Sequence, residues 1–184
     1  MKRQMTDAIQ FYSATDAYGE LSNYYVLSAP LVYKKKTYAS SEHLYHALKF
    51  LGPGASSESL AYAEVIRNAK TPNMAKVLAK QRVGGGYAWR EALNPAIEAA
   101  LAQGVRPRAD WDKVKLDRMC LVLVLKFKQN EHCREVLLST GDKRLVEHSS
   151  NDKFWADGGD GSGENHLGKL LVQVRRRLDK SRKQ

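Results

Sequence analysis

The sequence predicts an α+β fold, a predominantly helical single domain with a small N-terminal β portion, and three observations carry that prediction. Residues 11–38 are rich in Tyr, Phe and Val with turn residues between, and seven of the nine tyrosines precede residue 46. From Ser40 onward, capping residues, prolines at first helical positions and glycine stops recur. No internal repeat or low-complexity linker interrupts this order, and 184 residues can bury one core.

The elements follow in turn. Residues 1–10 read as a flexible lead. Phe11-Tyr12, Tyr24-Tyr25-Val26-Leu27 and Leu31-Val32-Tyr33 read as short strands, with Lys34-Lys35-Lys36 at a hairpin turn. Ser40 or Ser41 caps a helix running to Phe50, and Gly52-Pro53-Gly54 stops it. Ser57 to Lys70 is a second helix. Thr71-Pro72 opens a third, reaching about Gln81. After the break Gly84-Gly85-Gly86, Asn94-Pro95 starts a short helix to about Leu101. A long one runs from Asp110 or Trp111 to about Gln129, followed by another over Glu131–Ser139. Arg144–His148 alternates as a strand, Trp155–Gly163 is a glycine-rich loop, and Leu167–Leu178 is a closing amphipathic helix. The body of the fold is thus expected over residues 11–178, with a basic tail over 179–184.

Composition bounds the function. The net charge is +10, and half of that excess lies in the last ten residues. Such a balance favours anionic partners, phosphates and nucleic acid among them, while a solvated helix end produces the same pattern. No apolar stretch reaches the ~20 residues that span a bilayer. The first residues lack the apolar region of a signal peptide, and Cys120 and Cys133 have no metal-ligand spacing. A cytoplasmic or nuclear protein with free thiols is expected, neither secreted nor in a membrane.

The helix after Ser40 holds the densest chemistry. Steps of three and four put Glu42, Tyr45, His46 and Lys49 on one face. A carboxylate, an imidazole and an amine can converge there on a small polar substrate. The plainer reading is a surface row of charges with a loose ion pair. Two decoys fall away. Gly163-Glu164-Asn165-His166-Leu167-Gly168-Lys169 imitates a nucleotide-binding P-loop, but Leu170 stands where Ser or Thr would hold magnesium and no apolar strand precedes it. What remains is a glycine-rich loop whose backbone N–H groups can receive a phosphate. His43 and His46 complete no zinc pattern, so neither a metal nor another cofactor is expected.

Four separated segments together resemble the NADAR/YbiA-like family of N-glycosidases. They are Leu21-Ser22-Asn23-Tyr24 with Tyr38, Ser41-Glu42-His43, Tyr45, Ala47 and Lys49-Phe50; Asp110-Trp111 with Met119, Lys126-Phe127 and Asn130; Thr140-Gly141 with Leu145, Glu147, Asp152 and Trp155; and Gly163, Asn165, Leu167-Gly168 and the last helix to Arg175. They span nearly the whole chain in family order. The chain departs once: the family usually has Trp-Gly-x-Gly, and here stands Trp155-Ala156-Asp157-Gly158.

The resemblance implies a YbiA-like fold and cleavage of the bond between ribose C1′ and an exocyclic amine nitrogen. Two substrate classes are associated with it: ADP-ribose on the amino group of guanine, which we favour, and the phosphoribosylamino-pyrimidines of riboflavin synthesis. Such a glycosylamine opens to an imine, and a lysine can exchange with the base to leave a Schiff base that water hydrolyses. Lys49 takes that role, with Lys126 second. Its amine must be brought toward pKa ~7–8 by burial. A charged Glu42 opposes this, unless it is itself protonated as a general acid or contacts ribose hydroxyls. A direct route, in which Glu42 or Asp152 stabilises an oxocarbenium-like state, forms no lysine adduct. Trp111 and Trp155 are candidates to stack on the base, Trp89 less so. Tyr45, Asn23, Glu147, Asn165 and Arg175 are candidates for substrate contact, Arg175 for a phosphate. Asn165 can equally cap the last helix, and Asp152 can equally close an Asx turn. A non-catalytic reader of ADP-ribose, or a nucleic-acid binder using the basic tail, is the alternative of another class.

Overall fold

The computed structural model describes residues 8–182. In chain order its elements are β1 (Ala8–Phe11), a 3-10 turn (Gly19–Leu21), β2 (Leu31–Tyr33), β3 (Lys36–Tyr38), α1 (Ser41–Ala47), α2 (Ser57–Arg67), α3 (Pro72–Lys80), α4 (Ala88–Glu91), α5 (Asn94–Ala102), α6 (Trp111–Gln129), α7 (Glu131–Ser139), β4 (Arg144–Glu147) and α8 (His166–Arg182). This is the α+β class expected, with helices predominating. The described residues fall into two compact units, one of Val26–Arg118 and one of residues up to Tyr25 together with those from Met119 onward.

In the Val26–Arg118 unit, β2 and β3 pair antiparallel with Leu31 opposite Tyr38. Lys34 and Lys35 turn the hairpin with φ of 48° and 64°. Two left-handed residues match the twist of a tight hairpin, although the sequence offers lysines where Asn-Gly is usual. Helices α1, α2 and α3 each begin on a hydroxyl: Ser40, Ser56 and Thr71 accept the backbone N–H three residues on. Helix α1 packs against both α2 and α3, and all seven of its residues are buried. Leu44, Leu48, Phe50, Ile66, Leu78 and Ile97 build the core. The Phe50 and Tyr62 rings meet at 5.1 Å, and the Tyr62 hydroxyl donates to the Leu78 carbonyl at 2.8 Å.

In the other unit, β1 and β4 run parallel, from Ala8 opposite Arg144 to Phe11 opposite Glu147. Helix α8 lies on β4 through Leu167, Leu171 and Val174. Gly168 makes that approach feasible, because a Cβ there would stand 2.1 Å from the Leu145 carbonyl oxygen.

Four expectations need correction. Ala8–Gln10 belong to a strand, because β4 supplies their hydrogen-bond partners; the rest of the expected lead lies outside the described residues. Tyr24–Leu27 form no strand, since the Tyr25 N–H turns back to the Ser22 carbonyl at 3.3 Å. Helix α1 stops at Ala47, and Lys49 sits in the turn beyond it. Helix α8 continues to Arg182, so the segment expected as a tail is helical that far.

Candidate functional site

Ser40 fixes the entry to α1. Its hydroxyl accepts the His43 backbone N–H at 3.4 Å and lies 2.8 Å from His43 Nδ1, while His43 Nε2 lies 3.0 Å from the Ala69 carbonyl. A carbonyl only accepts, so Nε2 carries the proton and Nδ1 accepts from Ser40 O–H. On the same helix, His46 Nε2 lies 2.8 Å from Glu42 Oε1. Glu42 is 6% exposed and His46 5%. The row on α1 is therefore a buried hydrogen-bonded pair, not a solvated line of charges.

The chain leaves α1 in a tight turn, with Phe50 N–H bonded to the Ala47 carbonyl at 2.9 Å. The Lys49 carbonyl accepts the Arg108 N–H at 2.8 Å, which pins the lysine backbone. Its half-buried ammonium lies 5.6 Å from the centroid of the Trp111 ring. That ring sits at the start of α6, 5.1 Å from Tyr45. The aromatic pair screens the amine from water and offers its charge a π face.

Burial lowers the Lys49 amine to about 8, against the pull of Glu42 and with the help of Lys80 and Lys76. Burial favours the protonated form of Glu42, but His46, Lys76 and Lys49 outweigh it and hold the carboxyl below its ordinary range. Burial likewise pushes the His46 imidazole down, against Glu42. The expectation of a protonated Glu42 is thus not met. The group held partly neutral is Lys49, because a half-buried amine among two other ammoniums has more to lose than a carboxylate given a donor. Sequence reasoning alone misses Lys76 and Lys80 on α3, and the pairing of His46. The spacing of the two lysines at i and i+4 is the one signal, and it acquires meaning only once α3 packs on α1.

The remaining candidates lie in the other unit, apart from Trp89. Asp152 Oδ1 accepts the backbone N–H of Phe154 at 2.9 Å and of Trp155 at 2.7 Å, the geometry of an Asx turn. It thereby holds Trp155, which is half-buried with its ring 5.0 Å from Phe154. Asn165 bridges to β4: its Oδ1 accepts the Glu147 N–H at 3.0 Å and its amide donates to the Leu145 carbonyl at 2.9 Å. Both ends of that side chain are engaged with β4. The Arg175 guanidinium is buried and donates to Thr140 Oγ1 at 2.6 Å and to the Lys143 carbonyl at 2.9 Å. Glu147 is half-buried at the end of β4. Asn23 is buried, its amide 3.4 Å from Met119 sulfur and its Oδ1 without a partner among the described residues. Lys126 is 0% exposed and donates to the Ser22 carbonyl at 2.8 Å. Trp89, in the Val26–Arg118 unit, is half-buried with its ring stacked on Tyr87 at 6.3 Å.

At the end of the glycine-rich loop, where it enters α8, the backbone N–H groups are already engaged. Its N–H groups from Gly163 to Leu167 all bond to carbonyls, those of Asp157, Lys153, Ala156, Phe154 and Trp155. Ala156, where the family usually has glycine, is buried and is not among the residues with positive φ, so a side chain costs nothing in backbone conformation there.

The chain matches the family model of the NADAR domain over residues 10–179. It is 36% identical over 170 residues to N-glycosidase YbiA of Escherichia coli, covering 92% of this chain and 88% of that protein. An N-glycosidase of Nostoc punctiforme is 36% identical over 171 residues, with 92% of each chain covered. A riboflavin biosynthesis protein of Vibrio vulnificus is 32% identical over 174 residues, which cover 95% of this chain and 39% of that longer one. The NMR structure of the E. coli protein YbiA superposes with a TM-score of 0.72 at 33% identity, covering 96% of this chain and 87% of that one.

Proposed function

The chain belongs to the NADAR domain family, and we propose that it hydrolyses the bond between ribose C1′ and an exocyclic base nitrogen, with Lys49 as nucleophile and Glu42 as proton carrier. It is a hydrolase acting on N-glycosyl bonds, as its named N-glycosidase relatives are. One observation carries the assignment of roles: a lysine brought to about 8 by burial lies over Trp111, beside a carboxylate that stays ionised.

The chemistry follows from those two charge states. The sugar ring opens as the C1′–O4′ bond breaks, leaving a C1′=N imine and a protonated O4′. The neutral Lys49 amine adds to C1′, and the imine electrons move to the base nitrogen. The Glu42 carboxylate takes one Nζ proton and gives it to that nitrogen, leaving a neutral aminal, then takes the second Nζ proton and delivers it to the same nitrogen as the C1′–N bond breaks. The base leaves as an amine and Lys49 is left as a Schiff base. Water adds to C1′, the C1′–Nζ bond breaks, and the sugar aldehyde closes to its hemiacetal. A carboxylate that begins ionised suits a cycle that first accepts a proton and then donates it.

The substrate we favour is ADP-ribose attached to the amino group of guanine, in a nucleoside or in nucleic acid. The net charge of +10 suits a diphosphate or a polyanion. The kinship with riboflavin biosynthesis proteins favours a second reading, a phosphoribosylamino-pyrimidine. The test is to incubate the protein with ADP-ribosylated guanosine and with a ribosylamino-pyrimidine phosphate, with and without borohydride. Release of base, and a reduced adduct mapped to Lys49 and missing in Lys49→Ala, is expected. Turnover that survives in Lys49→Ala with no adduct on the wild type would refute the lysine route in favour of direct glycoside cleavage.

A further inference from the structure

We propose that His46 is a positioning residue of the reaction: as a neutral imidazole protonated at Nε2, it holds the Glu42 carboxylate ionised and oriented toward the reacting proton. This rests on the role given to Glu42 above, and nothing in the family resemblance or in the named relatives assigns it.

Geometry fixes the tautomer. His46 Nε2 lies 2.8 Å from Glu42 Oε1, so that nitrogen must donate to a carboxylate that only accepts. His46 Nδ1 is buried and has no hydrogen-bond partner among the described residues. An imidazolium would place an unpaired N–H and a net charge in that dry setting, a larger cost than the unpaired acceptor that the neutral ring leaves at Nδ1. The partner of Glu42 is therefore a dipole and not a cation. This distinction matters to Lys49. A full positive charge at His46 would neutralise Glu42 and stand beside the amine; a neutral donor steadies the carboxylate and leaves its charge available to take the Nζ proton. With Oε1 committed to His46, proton exchange falls to Oε2. The i and i+4 spacing inside α1 makes the arrangement rigid, because both side chains hang from one buried helix.

The other titratable groups around the pair are His43 and Tyr45 on the same helix, Lys49 beyond its end and Lys76 on α3. The elements β3 and α2, also packed on α1, bring Tyr38 and Tyr62, whose hydroxyls burial pushes up, far from neutrality.

Two substitutions separate positioning from packing. His46→Phe keeps the bulk and removes the donor. His46→Gln keeps an N–H at a similar reach. Loss of a hydrogen bond to a charged group corresponds to a fall of about 10- to 100-fold in kcat in His46→Phe, with KM little changed. His46→Gln should recover most of that loss. Equal impairment of both variants, or no impairment of either, would overturn the proposal. An independent reading comes from NMR of the intact protein. The 15N signals of His46 in the wild type should show a protonated Nε2 and a bare Nδ1 at neutral pH, and the Glu42 carboxyl should titrate at higher pH in His46→Phe than in the wild type. An imidazolium at neutral pH, or a Glu42 titration that does not move, counts against it. These spectra need no turnover, so they decide the role of His46 even if the wild type released no base. Should His46→Phe fail to fold, the His46→Gln titration and the wild-type tautomer settle the same question.

Discussion

The reactivity of Lys49 should follow a pH curve that only its environment can produce. An exposed lysine titrates near 10.5, whereas burial brings this one to about 8. At pH 7 the neutral fraction is then about 9%, against roughly 0.03% for the exposed amine, a gain of about 300-fold. The sign is set by chemistry: only the unprotonated amine attacks, so the rate rises with pH. Between pH 7 and pH 8 the neutral fraction grows about fivefold, and between pH 8 and pH 10 only about twofold further. The assay is single-turnover trapping by borohydride, followed by intact mass, at pH values across that range. Two variants test the causes. Trp111→Ala admits water to the amine and should move the midpoint upward, toward the ordinary value. Glu42→Gln removes a carboxylate that raises the lysine, so its midpoint should fall below that of the wild type. A tenfold rise per pH unit continuing to pH 10 would refute the desolvation argument. An unmoved midpoint in Glu42→Gln would refute the ionised carboxylate.

Three further outcomes are expected. Asp152→Ala should lose about 1–2 kcal/mol in chemical denaturation by freeing the N–H groups of Phe154 and Trp155, while Asp152→Asn keeps the accepting oxygen and most of the stability; residual loss of turnover in Asp152→Asn would then be chemical rather than structural. Gly168→Ala drives a Cβ to 2.1 Å from the Leu145 carbonyl oxygen, where both sides are backbone, and should cost about 2–3 kcal/mol by the same measurement. Lys126 is lowered from 10.5 to about 8 by burial, so the folded state holds fewer protons than the unfolded one between those values and stability rises with pH across that window. The gap between wild type and Lys126→Met should therefore shift by about 3 kcal/mol in favour of the wild type from pH 7 to pH 11, and a gap independent of pH would show that the lysine is not desolvated.

What is legible in the sequence is local chemistry. Thr71-Pro72 announces α3 because a hydroxyl and a fixed φ start a helix without outside help, and Met74 N–H does bond to Thr71 Oγ1 at 3.2 Å. The limits of α6, α7 and β4 follow from periodicity and turns in the same way. Strand β1 is legible only at Phe11, since Ala8–Gln10 alternate usefully only when β4, far along the chain, lies beside them. The reverse failure is Tyr24–Leu27, strong in β propensity, where the nearby Ser22 carbonyl draws the Tyr25 N–H into a turn instead. At the candidate site, helical spacing places Glu42 with His46, whereas Lys49 stands out only through the family resemblance, because the helix ends before it. For Asn165 and Arg175 the sequence does not show the hydrogen bonds each makes within the fold, because their partners are backbone and side-chain groups distant in the chain. The Leu145 and Lys143 carbonyls that claim them are visible only in the fold.

Two lysines in this protein are lowered to about 8, and the contrast between them shows what a nucleophile requires beyond that value. Lys126 reaches it by complete burial: it is 0% exposed, its Nζ donates to the Ser22 carbonyl at 2.8 Å, and the Tyr25 and Phe127 rings lie 5.8 and 5.3 Å from it. Such an amine has its proton loosened but no face for a carbon to approach, and its hydrogen bond organises the backbone around Ser22. Lys49 reaches the same value while half-buried, at the end of a short helix whose turn is fixed by Arg108. Its side chain keeps part of its surface, with the Trp111 ring beside the amine and the Glu42 carboxylate acting on it electrostatically. A lowered pKa alone would rank the two lysines equally. On the mechanism proposed above, access and a nearby carboxylate are what set Lys49 apart from the fully buried Lys126.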